Sequence, residues 1–529
     1  MKKRIYAALL VLASATACTN LDIDIKSELV PDNFPKTEEQ FVAASGVVYT
    51  EFALGYTDNY WQQSELSGDG FALTANGGNW FDGGRYKDLH FHQWNKNNDL
   101  VKSTWSWLYK TINSCNKVYT LLENAEDSET KETTIAELRV MRAFCFYLLM
   151  DNFGGVPLTK TFGEELAARN SREDIFNYVE KELNEVLPAL KTVNDKSTYG
   201  RPTQLTAYAL LAKLYLNAQT FIGRSMYNEA VAACDKVIEF EKKGATELTS
   251  QDKYLAMFNY DNGPEFKEFL LAIPYDENNL QSFRPSRYAL SIYHPAAWDL
   301  KFTVSSCMRV VPAYYDLFAE DANDIREKQF LKEEQYMRDG VTPMMLKATK
   351  VQLDSRYSGA DKDAVVNYHI KFTKEIEFRD KSNFDTGDDV TGRLIGYRCN
   401  KYPASTTQTE RFHSNDFPVL RYADILLMKA EAILRGATAT NGETALSLVN
   451  RIRERAGVAP WTSVNLSQLL DERGREFSLE AWRRNDLIRF GKFEDSWLLK
   501  TDNDARKRLF PIPQSEIETN PLLEQNPGY

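Results

Sequence analysis

Tyr422-Ala-Asp-Ile-Leu-Leu-Met-Lys-Ala-Glu-Ala-Ile-Leu-Arg-Gly436, followed after a short polar stretch by Ala445-Leu-Ser-Leu-Val-Asn-Arg-Ile-Arg-Glu-Arg-Ala-Gly457, sets the fold class. Ala423, Leu427, Ala430 and Leu434 recur at i, i+4, i+7 and i+11, one face of an α-helix. Ala445, Val449, Ile452 and Ala456 repeat that spacing, and Gly436 and Gly457 stand where a left-handed cap ends each helix. Two amphipathic helices with a short polar link read as a helical hairpin. Alanine on both stripes lets the backbones approach closely.

Outward from this pair, the same signature returns at 204–240. Ala207, Leu211, Leu214 and Tyr215 line one helix, and Tyr227, Ala230, Cys234 and Val237 line its partner. The match to a tetratricopeptide consensus is loose. Further helical runs cover 101–122, 134–152 and 172–190. Strands are expected at 367–377, where Tyr368, Ile370 and Phe372 alternate with polar residues, and at 269–275. Loops are expected at 76–84, 95–99 and 386–392. The expected architecture is mainly α, with tetratricopeptide-like helical pairs plus a loop-rich subdomain with small β elements.

The chain has 529 residues, 26% of them charged, and a net charge of −11. Mean hydropathy is −0.47. Such an acidic surface argues against nucleic acid and against docking on anionic lipid through a basic face. Lys2, Lys3 and Arg4, the apolar stretch 5–13 and Ala15-Thr16-Ala17 form a secretory signal. Ala15-Thr16-Ala17-Cys18 resembles a bacterial lipobox, with Ala15 where leucine is usual; Cys18 is therefore the expected lipidation site, and plain secretion is the alternative. The remaining cysteines show no ligand spacing and are expected to be free and buried. His90 and His92 form the one close histidine pair, without a third metal ligand at a suggestive spacing. No phosphate-binding loop, nucleophile elbow, zinc-protease or dinucleotide motif is present, and no catalytic residue, metal or cofactor is expected.

Several blocks together resemble the SusD/RagB family of outer-membrane nutrient-binding lipoproteins. They are the ending Leu509-Phe-Pro-Ile-Pro-Gln-Ser-Glu-Ile-Glu-Thr-Asn-Pro-Leu-Leu-Glu-Gln-Asn-Pro-Gly-Tyr529, the block Phe417-Pro-Val-Leu-Arg-Tyr-Ala-Asp424, and the charged run through Glu472, Arg473, Glu476, Glu480, Arg483, Asp486 and Arg489. The family usually has Glu-Gly-x-Arg where this chain has Glu480-Ala481-Trp482-Arg483. Glu137-Leu-Arg-Val-Met-Arg-Ala-Phe144, Asn152-Phe-Gly-Gly-Val-Pro-Leu158 and Trp107-Leu-Tyr109 with Ile112 and Asn116 match in the N-terminal half. The resemblance implies a SusD-like fold, with a signal peptide at 1–17, an N-terminal helical region at 18–270 and a C-terminal domain at 271–529, interlocked. It implies a surface-exposed lipoprotein of the outer membrane. That protein binds an oligosaccharide, or a peptide in RagB-like members, and delivers it to a SusC-like TonB-dependent transporter.

The charged run 469–490 reads as one helix whose ions pair internally (Glu472–Arg475, Glu480–Arg484, Asp486–Arg489), a structural role. The proline-rich tail reads as extended chain packed on the body. The ligand is expected on aromatic loops, because sugar rings stack on flat aromatic faces and their hydroxyls bond to polar side chains. In the glycine-rich loop 67–86, Trp80, Phe81 and Tyr86 are candidate platforms, with Asp69, Asn79, Asp82 and Arg85 as polar partners. Tyr293 and Trp298, in 286–298, form a second candidate. Trp61, Trp105 and Trp107 are assigned to the core. A lipid-anchored glycoside hydrolase and a protein-binding helical scaffold are the rival functions.

Overall fold

The computed structural model describes residues 34–163 and 166–529, so the signal segment and Cys18 lie outside the described residues. Side-chain caps set most helix starts. Thr37 and Gln40 form a reciprocal capping box at the head of α1 (Glu38–Gly55). Asn98 accepts from Leu100 and Val101 N–H at the start of α2 (Asp99–Glu123), and Ser128 and Ser171 begin α3 (Glu129–Phe153) and α4 (Arg172–Val186). α5 (Gln204–Ile222) and α6 (Tyr227–Lys242) form the first expected pair, and α7 (Tyr422–Leu434) and α8 (Ala445–Ala456) the second. Gly457 ends α8 at φ 83°, a left-handed cap.

Consecutive helices pack on one another from α2 to α6, and α1 lies on α2 and α3. α7 packs on both α6 and α8, so helix pairs two hundred residues apart join in one stack. Its alanines allow that approach: Ala423, Ala430 and Ala432 are fully buried. The strand Phe269–Ile273 straddles the expected 270/271 division and pairs antiparallel with Phe417–Arg421, so the two halves share a ladder. All ten residues of that pair are buried, which explains why all but Arg421 are apolar. The second strand pair is displaced from expectation. Val365–His369 pairs with Met345–Thr349, and past buried Ile370 the chain resumes as the strand Lys371–Phe372, which pairs with Glu333–Glu334.

The charged run departs most from its expected form. It is two helices, α9 (Leu466–Glu476) and α10 (Arg483–Arg489), with Leu479 and Ala481 between them at φ 58° and 65°. That left-handed φ at Ala481 accounts for the family's glycine there. Glu472–Arg475 and Asp486–Arg489 pair as expected, at 2.9 and 2.6 Å. Glu480 does not pair with Arg484: it takes Lys401 at 2.6 Å and Arg421 at 2.7 Å. Arg421 also meets Glu268 (2.5 Å) and Glu476 (2.8 Å), all fully buried. The run is a cross-linking hub, because buried charges require partners on several elements.

The tail is only partly extended, since Gln514–Thr519 is helical. Asn526 donates to the carbonyls of Phe153 and Phe510 at 3.0 and 2.7 Å, and Trp94 Nε1 donates to the Tyr529 hydroxyl at 2.7 Å. Trp61, Trp105 and Trp107 are buried, as are the five cysteines in the described residues, which are free. His90 and His92 are structural. Each binds a backbone carbonyl (Leu498 and Ser67), and burial lowers His90 to about 4 and His92 well below the usual imidazole range. Among the described residues no group of three His, Cys, Asp or Glu is placed to hold a metal ion, and no helix is long and apolar enough to cross a membrane.

Candidate functional site

The glycine-rich loop is fastened at its base. Asn76 and Asn79 exchange backbone bonds of 2.9 and 3.3 Å across Gly77 and Gly78, whose φ values of 60° and 85° give the mirror-image turn that suits glycine. The Asp385 carboxylate accepts from both glycine N–H groups at 2.8 and 2.7 Å. Behind the turn, fully buried Arg309 donates to Asn76 Oδ1 and Thr386 Oγ1, both at 2.7 Å. Beyond it, Trp80 and Asp82 hold φ of 67° and 46° although neither is glycine. Such backbone persists where the surroundings fix it, and it clusters at ligand sites. The Trp80 ring lies edge-on to Tyr288 (5.6 Å between centroids) and tilted to Tyr86 (6.0 Å).

These three rings border a cleft of about 640 Å³. Part of its lining comes from a helical irregularity. Between α1 and the helix Trp61–Leu66, residues Tyr56–Tyr60 form a π-helical turn, a feature frequent at functional sites. Asp58 and Asn59 from this turn, and Gln62 just after it, line the cleft. The start of α2 adds Asp99 and Ser103; Arg284 and Arg287 flank Tyr288, Arg393 comes from the short helix Val390–Leu394, and Arg411 from a later loop.

Polar groups in the cleft are already aimed. Tyr288 OH accepts from Arg284 Nε (2.9 Å) and Gln62 Nε2 (3.2 Å), and Arg284 reaches Asp58 at 2.5 Å. Arg85 donates to Tyr86 OH at 2.8 Å and to Asp82 at 3.0 Å. Burial pushes the Tyr86 phenol up to about 12, against the pull of Arg85, and burial also raises Tyr288. Both are neutral hydroxyls near pH 7. Gln62 Oε1 and Arg85 Nε are buried with no hydrogen-bond partner among the described residues, and both belong to cleft-lining side chains. Ordered water or a ligand hydroxyl satisfies such groups.

Of the expected site residues, Trp80, Tyr86, Asn79, Asp82 and Arg85 come together here. Tyr86 is not an exposed platform as expected: it is 3% exposed and packs in the core, with the Arg85 guanidinium 4.8 Å from its ring centroid. Phe81 does not line the cleft; Lys87 Nζ sits 5.8 Å from its ring centroid. Asp69 is elsewhere, bound through both carboxylate oxygens to Arg483 at 2.8 and 2.7 Å. Tyr293 packs against the core, and Trp298 donates to the Tyr336 carbonyl at 3.0 Å beside a separate depression. The second candidate segment does contribute Arg287, Tyr288 and Ile292. Those residues were legible only as neighbours of the aromatics chosen there.

Two family models match, one described as the SusD family over residues 267–504, the other as starch-binding associating with outer membrane over 38–216. The chain belongs to the SusD/RagB family. The starch-binding protein SusD of Bacteroides thetaiotaomicron is 27% identical, over 82% of each chain. A laminarin-binding SusD-like protein superposes with a TM-score of 0.69 at 21% identity, covering 94% of this chain and all of that one. Surface glycan-binding protein A of Bacteroides thetaiotaomicron, solved with laminarihexaose, gives 0.69 at 20% identity over 92% and 99%. These structural neighbours share the SusD fold, and the mainly helical architecture of this family member agrees with them.

Proposed function

We propose that this SusD-family protein binds an oligosaccharide in the cleft between Trp80, Tyr86 and Tyr288 and delivers it to a SusC-like TonB-dependent transporter without breaking a bond. The observation that carries this reading is the cleft itself. Three aromatic rings and hydrogen-bonding side chains line a space within the usual range for ligand sites, roughly 300–1,000 Å³. Each sugar ring offers an apolar C–H face for Trp80 and rim hydroxyls for Gln62, Asn59 and Asn79. The starch-binding relative and the laminarin-binding neighbours support glycan as the cargo. Acyl chains on Cys18 would anchor the protein to the outer membrane, cleft outward, and that location fits the family model associated with that membrane. Cys18 itself lies outside the described residues.

Glycan-array binding by the soluble protein lacking residues 1–18 tests the reading. Retention of one or more oligosaccharide classes, lost in Trp80→Ala, is expected. Equal retention by wild type and Trp80→Ala, or release of shortened sugars over time, would overturn it.

A further inference from the structure

Five arginines line the cleft of a protein whose net charge is −11: Arg85, Arg284, Arg287, Arg393 and Arg411. Two of them are neutralised in place, Arg85 by Asp82 and Arg284 by Asp58. Among the described residues no carboxylate pairs with Arg287, Arg393 or Arg411. Arg393 Nε donates to the Asp388 carbonyl at 2.9 Å, and the Arg411 guanidinium rests 5.5 Å from the Phe412 ring centroid. Arg284 lies 5.7 Å from that same centroid, so two cations flank one ring. Arg287 is half-buried, 5.6 Å from the Trp80 ring centroid. Its surroundings disfavour its charge, first through burial and then through the facing cations Arg411 and Arg284. The one unpaired carboxylate in the lining is exposed Asp99 at the head of α2.

Like charges gathered without counter-charge cost stability unless an anion joins them. A planar guanidinium fork matches a carboxylate or a sulfate with two parallel hydrogen bonds. We propose that the cleft takes an acidic oligosaccharide, one bearing uronate carboxylates or sulfate half-esters, with Arg287 and Arg411 meeting the oxyanion beside a sugar stacked near Trp80. This rests on the glycan-binding reading above and names its substrate class. An acidic peptide offers the same charge, but no cleft-lining residue belongs to a strand, so no sheet edge is available to add an extended peptide. The isolated apolar residues Leu100, Ile292 and Val304 do not form side-chain pockets of the kind a peptide would need.

Isothermal titration with four hexasaccharides tests the proposal: oligogalacturonate, chondroitin sulfate, maltohexaose and laminarihexaose, each at 50 and 300 mM NaCl, with an oligo-glutamate control. At least one acidic sugar should bind ten-fold or more tighter than both neutral ones and weaken as salt rises. Arg287→Gln and Arg411→Gln should each lose five-fold or more for that acidic sugar, with melting not lowered, because neither side chain holds an ion pair and each removal relieves like-charge repulsion. The carboxylate and sulfate arms distinguish the two sources of the oxyanion. Tighter binding of a neutral sugar, indifferent to salt and to both substitutions, would overturn the acidic class and leave glycan binding standing. Binding of the glutamate control alone, or of none of the probes, would overturn both.

Discussion

Glu476→Gln puts a direct load on the buried hub that joins the two halves of the chain. The Glu476 carboxylate is fully buried, 2.5 Å from Arg455, 2.8 Å from Arg421 and 3.3 Å from Arg326. Burial pushes its proton affinity up, but Arg455, Arg421 and Arg326 outweigh burial and hold the carboxyl at about 2. An unfolded glutamate titrates at about 4.3, so the gap corresponds to on the order of 3 kcal/mol of stabilisation at neutral pH. Glutamine keeps the shape, removes the charge and leaves three guanidiniums under-compensated; breaking a buried pair costs about 3–5 kcal/mol. The two routes agree on size. The sign follows from the lowered value: the contribution is complete above about pH 4.3 and is lost as pH falls toward 2. Equilibrium urea unfolding followed by tryptophan fluorescence should show Glu476→Gln destabilised by about 3 kcal/mol at pH 7, with a smaller gap to wild type at pH 3. A variant within about 0.5 kcal/mol of wild type at pH 7 would refute the reasoning, since that is the size of an ordinary surface change.

Trp80→Ala should weaken oligosaccharide binding by about 1–3 kcal/mol, roughly five- to 150-fold, in calorimetric titration. Its effect on melting should be modest, because the indole is only half-buried against Tyr288 and Tyr86. Trp107→Ala should do the reverse and cost about 3–5 kcal/mol of folding stability, since its ring is buried and Nε1 donates to the Glu51 and Phe52 carbonyls. Cys18→Ala should abolish acylation and move the protein from the membrane to the soluble fraction; continued membrane partition with an N-terminus elsewhere would reject the anchor. In mild detergent the protein should co-purify with a large outer-membrane barrel, and consistent recovery as a lone chain alongside intact control complexes would reject the delivery role.

The helices were legible because their signals are local. Caps such as Asn98, Ser128 and Ser171, and the stripes on α7 and α8, lie within a few residues of what they govern. The charged run misled for the opposite reason. Glu480 takes partners 59 and 79 residues away in Arg421 and Lys401, so the nearer Arg484 looked sufficient. Asp69 likewise seemed free for ligand because its guanidinium, on Arg483, is 414 residues distant. In the cleft, glycines made Trp80, Asn79 and Arg85 conspicuous. Gln62, Arg284, Tyr288 and Arg411 reach the same space from remote segments, through a π-helical turn and a fold-level approach that no local spacing encodes.

A crystal structure of the soluble protein with a bound oligosaccharide tests the central claim most directly. The account predicts a sugar in the cleft against Trp80, with its hydroxyls within hydrogen-bond distance of Gln62 and Tyr288 and the Arg287 guanidinium turned toward it. Sugar found instead against Trp298 and Tyr336, with the cleft unoccupied at saturating ligand, would contradict it.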